Sequence, residues 1–287
     1  MQFWDVINVI LIGIIEGITE WLPVSSTGHM ELFNHFFPAM IFVKNPEFKE
    51  MFMVVIQLGA ILAVVVHFWH KLFPFQKKTE SGSIVKTDVL SLWGKVIVAC
   101  LPAGVIGILF DDLLEKYLHT PAVIAAMLIL YGILFIVVED RNKKTGRLFR
   151  VDDVHQIDYK TAFLIGAFQV LSLIPGTSRS GVTILGALLI GVSRPAGAEF
   201  TFFLSIPVML GASAIKLLKY LLLDGGIFTG AEIGALLLGS GVAFLLSLFA
   251  IRFLMNLVKK HDFKPFGIYR IALGVAVLLL LVIIPAL

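Results

Sequence analysis

Long apolar runs recur from one end of this sequence to the other, and they limit what the chain can fold into. Hydrophobic residues make up 58% of its 287 residues and charged residues 15%, whereas soluble domains hold about 45–50% and about 25%. A helix of about 20 apolar residues crosses the hydrocarbon core of a membrane. The sequence therefore predicts an all-α, polytopic integral membrane protein with a single membrane domain over residues 1–287. Six runs are long enough to span: 51–69, 93–110, 121–138, 198–222, 231–251 and 266–286.

Two further apolar stretches, residues 6–37 and 161–191, are each broken midway by a polar cluster that contains proline. Each half is too short to cross a membrane. Broken helices are tolerated at membrane depth only where protein or trapped water satisfies the backbone groups that the break exposes. We therefore expect both stretches to form re-entrant helix hairpins, which enter and leave the membrane on the same side.

The distribution of Lys and Arg predicts the orientation, since cytoplasmic loops collect these residues. Loops 70–92, 139–160, 192–197 and 252–265 hold 15 of the 23 Lys and Arg residues, whereas the loops on the other side hold 3. The first set is predicted to be cytoplasmic, which places both termini and the opening of the first hairpin outside. Lys216 does not fit this orientation, because it lies toward the predicted outer end of its span.

The two broken stretches resemble each other. "IGIIEGITEWLPVSSTG" at residues 12–28 aligns with "IGAFQVLSLIPGTSRSG" at residues 165–181 when one insertion is allowed. Inverted repeats with interrupted helices are a recurring membrane architecture, and the binding site lies where the broken helices meet. We therefore expect an inverted-topology repeat, with one copy at about 1–138 and the other at about 158–287. A chance likeness between two apolar stretches is the alternative.

Glu16 and Glu20 open the first polar cluster, "EGITEWLPVSSTGH". They are four residues apart, so a helix places them on one face, where they could share a ligand. Each carboxylate near the membrane centre costs about 2.5–3.5 kcal/mol, which argues against a pair without a function. Hydrated carboxylates at the interface are the structural alternative.

Pro23 ends the first half-helix, and Ser25 or Ser26 can cap the second. A helix start offers free N–H groups and positive partial charge, which suit an anion. His29 follows Ser26 by three residues, within one helical turn, so the two are candidates for a nucleophile and its base. A capping serine beside an unrelated histidine would give the same pattern.

The second cluster, "PGTSRSG", supplies hydroxyl groups at Thr177, Ser178 and Ser180 and a cation at Arg179. The planar fork of an arginine matches phosphate oxygens. The alternative is that Arg179 only pairs with a carboxylate of the first cluster. Together the two clusters offer phosphate donors and two carboxylates, and a divalent cation is what joins carboxylates to a phosphate. The sequence therefore favours a metal-assisted phosphoryl site.

At these two clusters the sequence resembles the bacterial undecaprenyl-diphosphatase family, also called the bacitracin-resistance family. "EGITEWLPVSSTGH" and "PGTSRSG" fit its signatures, and the likeness extends through "VVIQLGAILAVVV" to the closing "PFGIYRIALG". The resemblance implies hydrolysis of undecaprenyl diphosphate to undecaprenyl phosphate and inorganic phosphate, which recycles the lipid carrier of cell-wall (peptidoglycan) synthesis. It also implies Mg²⁺ or Ca²⁺ as cofactor and an outward-facing site in the bacterial inner membrane.

The resemblance also implies roles for individual residues. Glu16 and Glu20 would hold the metal, Ser26 would attack phosphorus with His29 as base, and Arg179 would neutralise the transferred group. The further phosphate-binding residues would be Ser25, Thr27, Thr177, Ser178 and Ser180. His29 as nucleophile and direct attack by metal-bound water both stay open, as does a homodimer.

Three other functions are alternatives to a polyprenyl diphosphate phosphatase. Acid-phosphatase-type lipid phosphatases are disfavoured because Lys-x₆-Arg-Pro is missing upstream of "SSTGH". A polyprenyl-phosphate flippase or transporter stays open, since broken helices in inverted repeats are typical of transporters. Nucleic-acid binding is not expected, because the basic residues form no single face or arm.

Overall fold

The computed structural model describes residues 2–76, 84–145 and 149–286. This part of the chain is helical, and its only β-pairing consists of two isolated bridges. The main helices are α1 Phe3–Thr19, α2 Ser26–Phe36, α3 Met40–Lys44, α4 Pro46–Val55, α5 Gln57–His67, α6 Trp69–Leu72, α7 Thr87–Leu118, α8 Pro121–Lys144, α9 Tyr159–Gln169, α10 Arg179–Ile190, α11 Arg194–Leu222, α12 Gly230–Leu257 and α13 Lys264–Leu278.

The described residues contain six segments long and apolar enough to cross a membrane, as the sequence predicts. Each observed segment overlaps a predicted one, so the all-α, multi-pass fold class is confirmed. The segments are Pro46–His67, Thr87–Phe110, Pro121–Lys144, Arg194–Leu222, Gly230–Leu257 and Lys264–Ile283.

Local sequence explains where several spans begin. Thr120 accepts a hydrogen bond from the Val123 N–H at the start of α8, and Thr229 with Glu232 forms a capping box at the start of α12. Such caps satisfy backbone N–H groups that have no partner within the helix. Ser193 does the same for α11.

Small residues allow the helices to pack closely. A Cβ atom on Gly59 of α5 would lie 2.0 Å from the Ser240 carbonyl oxygen of α12, and one on Gly166 of α9 would lie 2.1 Å from the Ala99 carbonyl oxygen of α7. Small residues at membrane helix interfaces permit this close approach of backbones.

The packing pairs the two predicted repeats in a reciprocal way. The first hairpin helix, α1, packs on α12 of the second repeat, and α9, which begins the second hairpin, packs on α7 of the first. The last helices of the two repeats, α8 and α13, pack on each other. If α1 corresponds to α9, α7 to α12 and α8 to α13, the contact of α1 with α12 corresponds to that of α9 with α7, and the contact between α8 and α13 corresponds to itself. This pattern supports the predicted internal repeat.

The span Pro46–His67 and the span Arg194–Leu222, which we call the two central spans, lie antiparallel. The ion pair between Lys71 Nζ and Glu199 Oε1, 2.6 Å long, joins the end of the first central span to the beginning of α11. Nearer the other end, the Ser213 hydroxyl donates to the Val54 carbonyl oxygen at 3.3 Å. This arrangement supports opposite directions for the two repeats, and the re-entrant path of the hairpins stays a prediction.

Gly59→Ala is expected to destabilise the protein. The new methyl group would collide with the Ser240 carbonyl oxygen, and such overpacking costs about 1–3 kcal/mol. Gly241→Ala in α12 is the matched control, because nothing lies within 4 Å of its Cβ position. The control should gain up to about 1 kcal/mol from helix propensity alone. Thermal unfolding in detergent measures both, and equal shifts would contradict the close contact.

Candidate active site

The two hairpin tips share an unusual backbone conformation. Ser25 has φ 71° and Ser178 has φ 70°, and they are the described non-glycine residues with positive φ. Each caps the helix that follows it, because its hydroxyl accepts a hydrogen bond from Gly28 N–H or Gly181 N–H respectively. Positive φ costs a residue with a Cβ about 1–2 kcal/mol. The two capping serines correspond directly when residues 12–28 are aligned with residues 165–181 without a gap, so the insertion allowed in the sequence comparison is not needed.

Arg270 of α13 holds the two tips together. Its guanidinium donates to the Pro23 carbonyl oxygen at 3.2 Å and to the carbonyl oxygens of Gly176 and Thr177 at 2.9 Å and 2.8 Å. The side chain is fully buried and lies over the Tyr131 ring. No carboxylate pairs with Arg270 among the described residues. One cation therefore satisfies backbone carbonyls that both helix breaks leave without helical partners.

Glu20, Arg179 and Ser26 form a buried network between the tips. Arg179 Nη2 lies 3.1 Å from Glu20 Oε1, and their side chains are 9% and 8% exposed. The Ser26 hydroxyl donates to the other carboxylate oxygen of Glu20 at 2.8 Å. Arg179 also donates to the Thr201 carbonyl oxygen and lies over the Trp21 ring. The two polar clusters therefore contact each other through Glu20, as the sequence predicts.

Glu16 is fully buried, and neither of its carboxylate oxygens has a hydrogen-bond partner. An unpaired buried carboxylate is costly unless it is protonated or binds a cation. Glu20 lies one helical turn further on, so a cation at Glu16 could use both carboxylates. Mg²⁺ commonly binds one or two carboxylates and completes its shell with water and phosphate. The donor set fits such an ion, although the described residues contain no group of three acidic, His or Cys side chains that could hold a metal.

The imidazole of His29 makes no hydrogen bond with Ser26. Its Nδ1 lies 2.7 Å from the Ser25 carbonyl oxygen and its Nε2 lies 2.7 Å from the Tyr269 hydroxyl. A carbonyl can only accept, so Nδ1 carries the proton and Tyr269 donates to the lone pair of Nε2. Ser26 and His29 do not hydrogen-bond to each other, because Ser26 bonds to Glu20 and His29 bonds to Tyr269.

The remaining predicted phosphate ligands differ in access. Ser180 is buried and donates to the Glu20 carbonyl oxygen at 2.9 Å, and its hydroxyl lies 3.3 Å from that of Ser178. The Thr177 hydroxyl is buried without a partner. Thr27 faces a cavity beside Ser26. These residues lie together at the tips, and Thr27 and Ser26 are the ones on the cavity wall.

A cavity of about 570 Å³ has Ser26 and Thr27 on its wall. Its wall includes Pro175 from the second tip and cationic side chains at Lys49 and Lys216. Glu16, Glu20 and Arg179 are not on its wall and lie behind Ser26. We call this space the Ser26 cavity. It can admit a phosphate group to the hydroxyl while the network behind it controls the proton and charge.

Sequence reasoning missed three residues of this site: Lys216, Tyr269 and Arg270. Arg270 had a signal, because a charged residue inside an apolar run is a functional candidate by default. The position of Lys216 toward the outer end of its span disagrees with the predicted orientation. In the structure Lys216 lines the Ser26 cavity, which accounts for a cation inside a span. Tyr269 gave no signal, because an aromatic residue in a span is ordinary.

Comparison with known proteins gives a consistent picture. Residues 9–276 match the family model described as Bacitracin resistance protein BacA. The chain is 62% identical to a protein of Enterococcus faecalis named "Undecaprenyl-diphosphatase", over 98% of each chain. It is 55% identical to a protein of that name from Desulfitobacterium hafniense, over 97% of each, and 51% identical to one from Streptococcus thermophilus, over 96% of this chain and 92% of the relative.

Arg270→Leu is expected to destabilise the protein by more than about 3 kcal/mol, because it leaves three buried carbonyl oxygens without a donor. Gly181→Ala tests the same contact without removing the charge, since its Cβ would lie 2.9 Å from Arg270 Nη1. Arg141→Leu, at an exposed arginine of α8, is the control. Thermal unfolding in detergent measures all three. A loss for Arg270→Leu no greater than for the control would contradict the bridging role.

Proposed function

Because this chain belongs to the bacitracin resistance protein BacA family, we propose that it is an undecaprenyl-diphosphatase of the bacterial cytoplasmic membrane. It hydrolyses undecaprenyl diphosphate to undecaprenyl phosphate and inorganic phosphate and so recycles the lipid carrier of cell-wall synthesis. One observation carries the proposal: Ser26 lies on the wall of the Ser26 cavity, and its hydroxyl donates to a carboxylate that is itself paired with an arginine. The names of the relatives favour hydrolysis over the flippase alternative.

The diphosphate binds in the Ser26 cavity, and the prenyl chain stays in the surrounding lipid. Lys49 and Lys216 on the wall balance part of the phosphate charge. The N-terminus of α2 adds backbone N–H groups and positive partial charge beside Ser26. Binding therefore places the terminal phosphorus next to the Ser26 hydroxyl.

In the first step Ser26 Oγ attacks the terminal phosphorus, and the bond from that phosphorus to the bridging oxygen breaks. Glu20 accepts the hydroxyl proton through the hydrogen bond that the structure shows. Protonated Glu20 no longer neutralises Arg179, whose guanidinium then stabilises negative charge on the phosphoryl group. The leaving group is undecaprenyl phosphate, and the protein carries a phosphoserine.

In the second step water attacks that phosphoserine, with His29 as the base. The proton on Nδ1 is held by the Ser25 carbonyl oxygen, so the lone pair of Nε2 is the one that can accept a proton from water. Tyr269 occupies it in the structure and must yield it to the water. Ser26 Oγ leaves and recovers its proton from Glu20, inorganic phosphate is released, and His29 passes the proton that it took from water to the solvent. This assigns His29 to the second step rather than to the activation of Ser26.

Mg²⁺ or Ca²⁺ would be held by Glu16, and Glu20 could join it only by releasing Arg179 or Ser26, which occupy its two carboxylate oxygens. When bound, such an ion supplies Lewis-acid stabilisation of the phosphate oxygens. The support is the buried Glu16 carboxylate, whose two oxygens have no partner in the described structure. Glu16 therefore contributes by binding and not by proton transfer.

Ser26→Ala is expected to lower the rate of phosphate release from a polyprenyl diphosphate by about a thousandfold or more, since it removes the nucleophile. Glu20→Gln is expected to lower it about a hundredfold, because the proton acceptor is lost. Glu47→Gln, at an exposed glutamate of α4, is the matched control and should retain activity. Activity of the Ser26 variant near that of the control would exclude covalent catalysis at this residue.

His29→Gln is expected to accumulate a phosphoenzyme, because the first step remains and the second is slowed. Mass spectrometry of peptides after acid quench should place the phosphate on Ser26. The double variant Ser26→Ala, His29→Gln should carry none. A phosphohistidine at position 29 in a wild-type sample quenched with base, which preserves the acid-labile P–N bond, would instead establish His29 as the nucleophile.

Binding of Mg²⁺ or Ca²⁺ alone is expected to raise the unfolding temperature of the wild-type protein, since a ligand that binds the folded state stabilises it. Glu16→Gln should abolish this increase, whereas Glu47→Gln should preserve it. The fluorescence of Trp21, which adjoins Glu20, offers a second readout that needs no substrate. An undiminished metal response in Glu16→Gln would contradict a site at this carboxylate.

A further inference from the structure

A second charged cleft lies at the opposite end of the two central spans from the Ser26 cavity. It has a volume of about 350 Å³ and is lined by the end of α5, the beginning of α11 and the end of α12. We call it the basic cleft. Its charged and polar wall consists of His67, Lys71, Glu199, Arg252, Asn256 and Lys259. The distribution of Lys and Arg along the chain predicts that this end faces the cytoplasm.

The basic cleft is the counterpart of the Ser26 cavity under exchange of the repeats. Pro46 and Glu50 line the Ser26 cavity near the start of α4, and Pro195 and Glu199 line the basic cleft at the start of α11, with the same spacing. Each space is completed by the end of the other central span. The two spaces therefore have related architecture at opposite ends of the molecule.

The counterpart differs in one respect that decides its role. Residues of both hairpin tips line the Ser26 cavity, whereas none lines the basic cleft. No group of the Ser26–Glu20–Arg179 network is accessible from it. The basic cleft is therefore a separate binding surface and not a second opening of the candidate active site.

The charge of the basic cleft is unbalanced. Glu199 is its acidic residue and is already paired with Lys71 at 2.6 Å. Arg252 and Lys259 are exposed and have no carboxylate partner within the described ranges. Arg252 lies near the end of α12 and Lys259 lies two residues past that end, and both line the cleft. Two cations without partners in a cleft suit a phosphate group.

An apolar stripe leads away from these cations along α12. Leu245, Phe249 and Phe253 recur every four residues and are 54%, 69% and 56% exposed. Arg252 follows Phe249 by three residues and Leu245 by seven, so it lies on the same side of α12 as the stripe. In a membrane this stripe faces acyl chains at the depth below a lipid headgroup.

We propose that the basic cleft binds an anionic phospholipid, with the headgroup phosphate between Arg252 and Lys259 and an acyl chain along Leu245, Phe249 and Phe253. Basic pockets between membrane helices on the cytoplasmic side are a recurring mode of anionic lipid recognition. The site is independent of the phosphatase reaction, because it shares no residue with the Ser26 cavity.

Native mass spectrometry of the full-length protein tests the site, with phosphatidylglycerol and phosphatidylcholine of identical acyl chains as probes. The wild-type protein is expected to retain one phosphatidylglycerol in preference to phosphatidylcholine. The double variant Arg252→Gln, Lys259→Gln is expected to bind phosphatidylglycerol about thirtyfold more weakly, since each basic group contributes about 1 kcal/mol near a membrane surface. Equal retention by the variant and the wild type would overturn the proposal.

Lys143→Gln, Lys144→Gln is the matched control, because these exposed lysines end α8 on the same predicted side and do not line the cleft. It should change the affinity less than about twofold, and a loss equal to that of the cleft variant would reduce the effect to net charge. A large excess of inorganic phosphate separates the two sources of phosphate. Retained lipid supports the proposal, whereas displaced lipid indicates a site for free anions.

Discussion

The arrangement of the candidate site depends on the backbone groups that two broken helices expose. At each tip the chain leaves helical geometry, so its carbonyl oxygens lack the partners that a continuous helix provides. Arg270 supplies donors to Pro23 on one side and to Gly176 and Thr177 on the other. The same guanidinium thereby fixes the distance between the tips. The bridge from this third element adds to the direct contacts that Arg179 and Ser180 make with Glu20.

The bridge brings Glu20 and Arg179 together from positions 159 residues apart in the chain. Glu20 then has two contacts, since one carboxylate oxygen pairs with Arg179 and the other accepts a hydrogen bond from Ser26. Protonation of Glu20 weakens its hold on Arg179, which couples proton transfer to the release of a cation. Glu16, one turn away and without a partner, is the group best placed to hold a further positive charge.

The two clefts show how one architecture can be used differently at its two ends. Both are built by the start of one central span and the end of the other. Tip residues reach only the Ser26 cavity, which thereby gains a nucleophile. The basic cleft keeps its cations and lacks that chemistry. Divergence of the tips, rather than of the spans, therefore separates the two ends.

The sequence by itself determined the spans, the interrupted stretches and part of the candidate site. Spans follow from the length of apolar runs, and Glu16, Glu20, Ser26 and Arg179 are conspicuous because polar groups are costly among them. Only the tertiary structure decided the partners: Glu20 rather than His29 accepts from Ser26, and Arg270 joins the tips. These contacts link residues far apart in the chain, and local periodicity carries no information about which distant groups will meet.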